Sequence, residues 1–508
     1  MQYTISPLDM KRIEKQFMHE TGTPGLKLME RAAEHVADAA MPFLFHGAKL
    51  FVLCGTGNNG GDGLAAARIL LSRLETLRCD IYLLAGTQSP DAAVQMERLQ
   101  DYADRLNIVE ISDEIFPIPQ DSSCAIDALF GTGLSRPLEG AARYMVENLN
   151  RLHIPVIAVD IPSGLDGSNG YPPEDGVAVK ADITVTFHRA KDGLYLGDGL
   201  DLCGTVVVCD IGIPAAYGDA KGLAVMEREE AKLPPRRRNT HKGSYGHVLA
   251  VTGSLGMAGA AGISALAALR TGAGGVTVAC PEIIVPTVQG LAPCAVCLPL
   301  PEDKPWATLQ PALEKADALI IGCGLGKSAM AARLTERLIQ YVCYHQVSAV
   351  LDADALNLLA MYQETFETQN LRFPDTAILT PHLGEAARLL KQPIEQIQHD
   401  QVRAALELQA QYGGNVILKS ASSVLIAAGR GEAVNLFGTP AMAKGGSGDT
   451  LAGILGALLA GQKENGLTGL RLLQTACALH GLAGEAAAQK FGEHGVLATD
   501  ICDMLARR

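Results

Sequence analysis

The chain is poor in aromatic residues, with one Trp and 5% aromatics in all. Its cores must therefore be built from aliphatic side chains and from close approaches over glycine. It has no excess of positive charge: 42 Lys and Arg stand against 55 Asp and Glu, a net of −13. That balance argues against nucleic acid or an anionic membrane as the main partner, although a local pocket can still hold a phosphate-bearing small molecule. No apolar run approaches the roughly 18 residues of a membrane span. The opening MQYTISPLDMKRIEK has no apolar core, so no signal peptide is expected and the protein is expected in the cytoplasm. Cys294 and Cys297 have a CxxC spacing, but no second pair or histidine cluster completes a zinc site. Cys54, Cys124, Cys209, Cys280 and Cys323 fall inside apolar, strand-like runs, the ordinary place of buried free thiols in a reducing compartment.

What is present is aliphatic and rich in glycine: 48% hydrophobic residues and 54 Gly in 508 residues. The length calls for two or three domains. Residues 6–40 read as helical with a break at Gly22–Gly25. Strand-like runs at Leu50–Cys54, Ile81–Leu84, Cys124–Ile126, Val156–Val159, Ile183–Phe187 and Thr205–Cys209 then alternate with helical stretches such as Leu64–Leu74 and Ala92–Leu106. This rhythm predicts a mostly parallel sheet covered by helices on both faces. It stops after Pro214, and Pro234-Pro-Arg-Arg-Arg238 reads as a linker or domain edge. A second α/β series follows, with strands expected at His247–Thr252, Val276–Ala279, Ala318–Ile321, Ala349–Asp352, Ala377–Leu379, Val416–Leu418 and Ser423–Ala427. The reading is two different α/β domains, 1–225 and 226–508, the first a Rossmann-like three-layer unit.

The segment AMAKGGSGDTLAG, Ala441–Gly453, is the strongest chemical signal. Gly445, Gly446, Gly448 and Gly453 surround Asp449, and the apolar run Leu451 to Leu459 predicts a buried helix. Glycines let backbone N–H groups approach an anion, and the helix N-terminus adds partial positive charge. A carboxylate there would repel phosphate, so Asp449 reads as a base, or a metal-linked group, acting on whatever meets the phosphate.

In the first half, a strand runs into Gly55-Thr-Gly-Asn-Asn-Gly-Gly-Asp-Gly63. A second leads through Asp127 into Phe130-Gly-Thr-Gly-Leu-Ser-Arg-Pro137, where Arg136 suits phosphate. A third ends in Asp160 and continues Ile161-Pro-Ser-Gly-Leu-Asp-Gly167. Such strand ends converge on one crevice, where open α/β sheets bind ligands. Asn59, Asp127 and Ser163 offer hard oxygen donors for a cation. GxGNNGGDG, IDALFGTGLSRP and VDIPSGLDG, followed by KADITVTFHRAKDGL and CDIGIP, resemble the YjeF N-terminal domain, the NAD(P)H-hydrate epimerase, over about residues 1–215. The resemblance implies that Asn58, Asn59, Gly60, Gly61, Asp62, Gly131, Thr132, Gly133, Leu134, Ser135, Arg136 and Pro137 hold the dinucleotide hydrate. It implies that Asn59, Asp127 and Ser163 bind K⁺, and that Asp160 meets the nicotinamide end. Arg31 stands where the family usually has Asn.

The second half adds HKGSYG, a glycine loop at Gly253–Ala260, GCGLG, DADALN, TPHLGEAARLL and Lys419-Ser-Ala-Ser-Ser423. Lys419 and its hydroxyl neighbours at a strand end suit a nucleotide phosphate. With AKGGSGDTLAG these motifs resemble the YjeF C-terminal domain, the ribokinase-like ADP- or ATP-dependent NAD(P)H-hydrate dehydratase, over about 227–508. The resemblance implies contacts of Ala258, Gly324, His382 and Asp449 with the hydrate. It implies contacts of Lys419, Ser420, Ala421, Ser422, Ser423 and Gly448 with the nucleotide, with Mg²⁺ on ADP or ATP. Ser420 and Ser423 replace the family's Gly and Thr.

The two resemblances imply one repair pathway acting on NADHX and NADPHX: epimerisation of R and S hydrates in the first domain, and nucleotide-driven dehydration of the S form in the second. The family commonly forms symmetric assemblies, so a homo-oligomer is expected. The alternatives are a ribokinase-class small-molecule kinase with a stable phosphorylated product, and a first domain that binds without catalysing.

Overall fold

The computed structural model describes residues 2–112, 118–134, 136–215, 217 and 222–506, with the side chain of residue 175 left aside. The chain divides into two compact units, Tyr3–Leu223 and Ala224–Arg508 with Met1–Gln2. Pro234–Arg238 therefore lies inside the second unit rather than at its edge. Arg236 stacks on the Tyr245 ring at 3.8 Å and Arg237 pairs with Glu464 at 2.6 Å, which gives the basic triplet partners within that unit.

The first unit is built on a seven-stranded parallel sheet in the order Leu106–Ile111, Arg78–Leu84, Lys49–Cys54, Cys124–Ala128, Val156–Val159, Ile183–Phe187, Thr205–Cys209. The order reverses between Lys49–Cys54 and Cys124–Ala128, and the crevice at such a switch point is where ligands bind. Gly55 marks it, since a Cβ there would fall 1.9 Å from the Leu129 carbonyl oxygen. The central strands are buried along their whole length, as parallel strands covered on both faces must be. Helices Gly25–Ala40 and Asn58–Arg73 cover one face and Gly140–Leu149 packs into the other core.

Two expectations need correction here. The helix expected at Ala92–Leu106 is Pro90–Leu99, followed by a 3₁₀ segment, and Leu106 opens the edge strand. The glycine run after Gly55 is not a loop throughout: the helix starts at Asn58, and its buried glycines let it pack tightly on the sheet.

In the second unit the strand order is Ala224–Val225, Gly431–Val434, Val424–Ala427, Gly413–Leu418, Phe373–Leu379, Ala349–Leu351, Ala318–Ile321, His247–Val251, Gly275–Cys280, Val296–Pro299. The strands from Val296–Pro299 to Gly413–Leu418 are parallel, and the hairpin beyond them is antiparallel. The edge strand Val296–Pro299 and strand Gly431–Val434 add to those expected from sequence. Helix Ser447–Ala460 is buried on nearly every side and packs between the sheet and helices Ala258–Thr271 and Gly469–Phe491, forming the main core. Among the described residues no helix is long and apolar enough to cross a membrane.

Candidate functional site

The first unit holds a cavity of about 740 Å³ over the switch point. Asn58, Asn59, Asp62, Gly131, Thr132, Gly133, Leu134 and Asp160 line it, as do Met10, Glu14 and Met18 from helix Pro7–Thr21. Gly60, Gly61, Arg136 and Pro137 do not line it. Gly60 and Gly61 are buried in helix packing, and Arg136 is exposed. Ser135 lies outside the described residues.

Asp127 and Ser163 sit fully buried below the cavity floor. The Asp127 carboxylate accepts from Ser163 Oγ at 2.6 Å and Ser163 N at 2.8 Å. Burial nevertheless raises its pKa to about 6. Asn59 packs against Gly131, where a Cβ would meet Asn59 Oδ1 at 2.9 Å, and its buried Nδ2 has no partner among the described residues. The buried Asp127 carboxylate, the Ser163 hydroxyl and the Asn59 amide oxygen are the oxygen ligands that could serve a hard cation here; the unpartnered Asn59 Nδ2 is a hydrogen-bond donor and adds nothing to that set.

Asp160 follows strand Val156–Val159 and is held at φ +68°, a left-handed conformation rare outside glycine. Its Oδ1 accepts from Lys191 Nζ at 2.5 Å and Thr186 Oγ1 at 3.1 Å. Lys191 is 1% exposed and also donates to the Phe187 carbonyl at 3.1 Å. Arg31 donates to the Ile211 carbonyl at 2.8 Å, and Ile211 borders the cavity, so this substitution braces the rim. Burial pushes Asp62, which lines the cavity, well above the usual carboxylate range, reinforced by Asp160, Glu14 and Asp91.

In the second unit the candidates gather at the carboxyl ends of parallel strands. Asp352, after Ala349–Leu351, accepts from Lys419 Nζ at 2.5 Å and Thr380 Oγ1 at 2.7 Å. Lys419 is thus committed to a buried ion pair rather than reaching out alone toward a phosphate. A Cβ on Gly448 would lie 3.4 Å from Lys419 Nζ, so the pair sits against the first turn of helix Ser447–Ala460. Asp449 is in that turn. Ligand atoms of Asp449, Asp352 and Cys323 lie within 4.8 Å of one another. Burial, then Asp352, raises Asp449 to about 6. The buried Cys323 thiol is pushed far up by burial and the neighbouring acids, so it stays protonated and the oxygen donors there are the two carboxylates.

His382 caps helix Leu383–Leu390, its Nδ1 accepting from Gly384 N at 3.0 Å. Its Nε2 lies beside Glu385, and desolvation, Lys419 and Arg388 lower the ring's pKa. Ala258 opens helix Ala258–Thr271, and Gly324, at φ +60°, approaches Met257 O and Ala260. Ser420 donates to the Ser422 carbonyl at 2.9 Å, and Ser423 Oγ accepts from Ser420 N at 3.3 Å, so both substituted serines brace the turn after Lys419.

A family model described as NAD(P)H-hydrate dehydratase matches residues 248–507, and one described as YjeF-related protein N-terminus matches 25–193. The bifunctional NAD(P)H-hydrate repair enzyme Nnr of Coxiella burnetii is 36% identical over 494 residues, covering 95% of this chain and 94% of that protein. The enzyme of the same name from Escherichia coli is 33% identical, covering 98% and 92%. The chain belongs to the bifunctional NAD(P)H-hydrate repair enzyme family. Among solved structures it is similar to an ADP/ATP-dependent NAD(P)H-hydrate dehydratase from Bacillus subtilis co-crystallised with ATP/Mg²⁺. That match has 29% identity and a TM-score of 0.47, over 55% of this chain and 95% of that one. A ribokinase-like superfamily protein from Enterococcus faecalis gives 26%, 0.49, 56% and 94%. Sequence reasoning noted Asp352 only as one of two acids at a strand end and gave Glu14 and Lys191 no role; the structure brings Glu14 to the cavity, Lys191 to Asp160 and Asp352 to Asp449. Lys191 carried a weak signal in AKDGL and Asp352 a stronger one in DADALN. Glu14 carried none.

Proposed function

We propose that the first unit interconverts the R and S hydrates of NADH and NADPH, and that the second dehydrates the S hydrate at the expense of ADP or ATP. The observation that carries this reading is one chain holding both sites while spanning 94% of a bifunctional relative. The proposed domains are 1–225 and 226–508.

In the first unit, Asn58, Asn59, Asp62 and Gly131–Leu134 bind the dinucleotide, and Asp160 meets the hydrated ring carbon. A hydroxyl beside the ring nitrogen leaves with help from the nitrogen lone pair, and water readds from the other face. Asp160, fixed by Lys191 and Thr186, accepts or returns the proton. Asn59, Asp127 and Ser163 would hold K⁺, which when bound supplies fixed positive charge below the cavity.

In the second unit, Ala258, Gly324 and His382 hold the hydrate, while the turn Lys419–Ser423 and Gly448 hold the nucleotide. Asp449 takes the proton from the S hydroxyl as that oxygen attacks the terminal phosphoryl group, and the amides of the helix N-terminus receive the phosphoryl charge. Asp352 and Asp449 are the carboxylates beside which Mg²⁺ would sit, and bound Mg²⁺ supplies neutralisation of phosphate charge. Phosphate then leaves far more readily than hydroxide, which regenerates NAD(P)H. A stable phosphorylated vitamin accumulating with ATP would favour the kinase alternative. The test is Asp449→Ala, which abolishes dehydration and leaves epimerisation intact; retained dehydration sinks the assignment.

A further inference from the structure

We propose that Glu14 is the second acid–base group of the epimerisation, working in the same cavity as Asp160 from a different element. This rests on the epimerase reading of the first unit. Epimerisation by loss and readdition of a hydroxyl uses both faces of the ring, so one carboxyl group on one side is half of the machinery. Glu14 and Asp160 border the same cavity from different elements, helix Pro7–Thr21 and the end of strand Val156–Val159. They feel each other electrostatically, and Lys191 acts on both.

The placement of Glu14 is fixed by the fold. Ser6 caps the helix, its Oγ accepting from Asp9 N at 3.1 Å. Just before it, Ile5 N donates to the Ala190 carbonyl at 2.9 Å, and Ile5 pairs as an isolated bridge with Lys191. The helix that carries Glu14 and the loop that carries Lys191 are therefore pinned together at one point. Ile13 and Phe17 anchor the helix in the core, which turns Glu14 toward the cavity.

The environments divide the labour. Asp160 stands in an ion pair with Lys191. Among the described residues Glu14 has no ion-pair partner, and it is raised to about 7, by burial first, with Lys191 opposing and Asp160 adding. The charged groups around it are Lys11, Lys15, Asp62, Asp91, Asp160 and Lys191. A carboxyl bound to an ammonium group and a second, raised carboxyl on the same cavity can serve as base and acid.

The step balances. The C6–O bond of one epimer breaks, the ring nitrogen's lone pair forms C6=N, and the departing oxygen takes the Glu14 proton to leave as water. Water then adds to the opposite face and the C6=N pair returns to nitrogen. The surplus proton passes to Asp160, and solvent exchange returns it to Glu14. The reverse direction uses the same groups in exchanged roles.

The test is the Glu14→Gln variant in the full chain with K⁺, following R–S exchange of NADHX by chromatography across pH 5.5–9. Wild type is expected to lose rate as pH rises through about 7. The variant should lose roughly 10²–10⁴-fold in kcat with KM little changed, and should lose that limb of the profile. Glu14→Asp should restore part of the rate, which a purely structural role would not do. An E14Q variant with wild-type rate and profile overturns the proposal alone. A wild-type protein that leaves the epimers unexchanged overturns the epimerase reading beneath it.

Discussion

Lys191 and Asp160 form a buried ion pair, Nζ to Oδ1 at 2.5 Å, at the end of a parallel strand, and Lys419 and Asp352 repeat that arrangement at 2.5 Å in the other unit. Neither sequence motif announces its partner, because 31 residues separate the first pair and 67 the second. Removing one member strands the other in a poorly hydrated place. Lys191→Met is expected to cost on the order of 3 kcal/mol of the first unit's stability and to abolish epimerisation. Urea unfolding followed by tryptic digestion of residues 3–223 measures the first, and a midpoint equal to wild type would contradict it.

The base role proposed for Asp449 makes it the group that sets the pH dependence of dehydration. Its pKa is raised to about 6, and the base form is the active one. The rate should therefore be full above about pH 7 and fall about tenfold per unit below about 6. In Asp449→Asn the rate should drop by roughly 10²–10⁴-fold, with the acid limb gone. A steady-state profile with purified S hydrate and excess nucleotide checks both, and an unchanged acid limb in the variant would assign it elsewhere.

The proposed cation site can be probed through a glycine. A methyl group at Gly131 would press on Asn59 Oδ1 at 2.9 Å, and the Asn59 side chain can give way. Gly131→Ala should fold normally and need several-fold more K⁺ for half-maximal epimerisation. Asp127→Asn should lose K⁺-dependent thermal stabilisation. A K⁺ titration, with Na⁺ as control, reads each. An unshifted G131A titration would remove Asn59 from the site.

Much of this was readable in the sequence, for identifiable reasons. Central parallel strands such as Leu50–Cys54 and Val156–Val159 are apolar throughout because both faces are covered, so short apolar runs located them. The edge strand Leu106–Ile111 is not expected from the sequence, since most of its side chains are partly or fully exposed and it forms no apolar run. Gly60, Gly61 and Gly63 read as part of a ligand loop, yet they lie in a helix and serve its close packing against neighbouring backbone and side chains. Glu14 stands among Lys11, Arg12 and Lys15, which reads as a solvated helix face, and only tertiary docking turns it toward a cavity. Ser420 and Ser423 looked like departures from a nucleotide loop, and in the structure they bond to each other and to Ser422 within one turn.

Gly446 tests the anion-binding turn. It caps helix Ser447–Ala460 at φ +95°, and a Cβ there would lie 2.8 Å from Ala498 Cβ. Gly446→Ala is expected to cost about 1–3 kcal/mol in the second unit and to weaken nucleotide affinity, leaving epimerisation unchanged. Calorimetric titration with ATP and Mg²⁺ gives the affinity, and wild-type binding would show that the turn tolerates a side chain.

The central claim is that one chain repairs both epimers. An R/S mixture of NADHX with K⁺, Mg²⁺ and ADP, then ATP, followed by the near-ultraviolet absorbance of NADH, tests it directly. The account predicts complete recovery with one nucleotide, beyond the S fraction and faster than spontaneous epimerisation. Recovery that halts at the S fraction contradicts the role given to Asp160, and no recovery with either nucleotide contradicts the account as a whole.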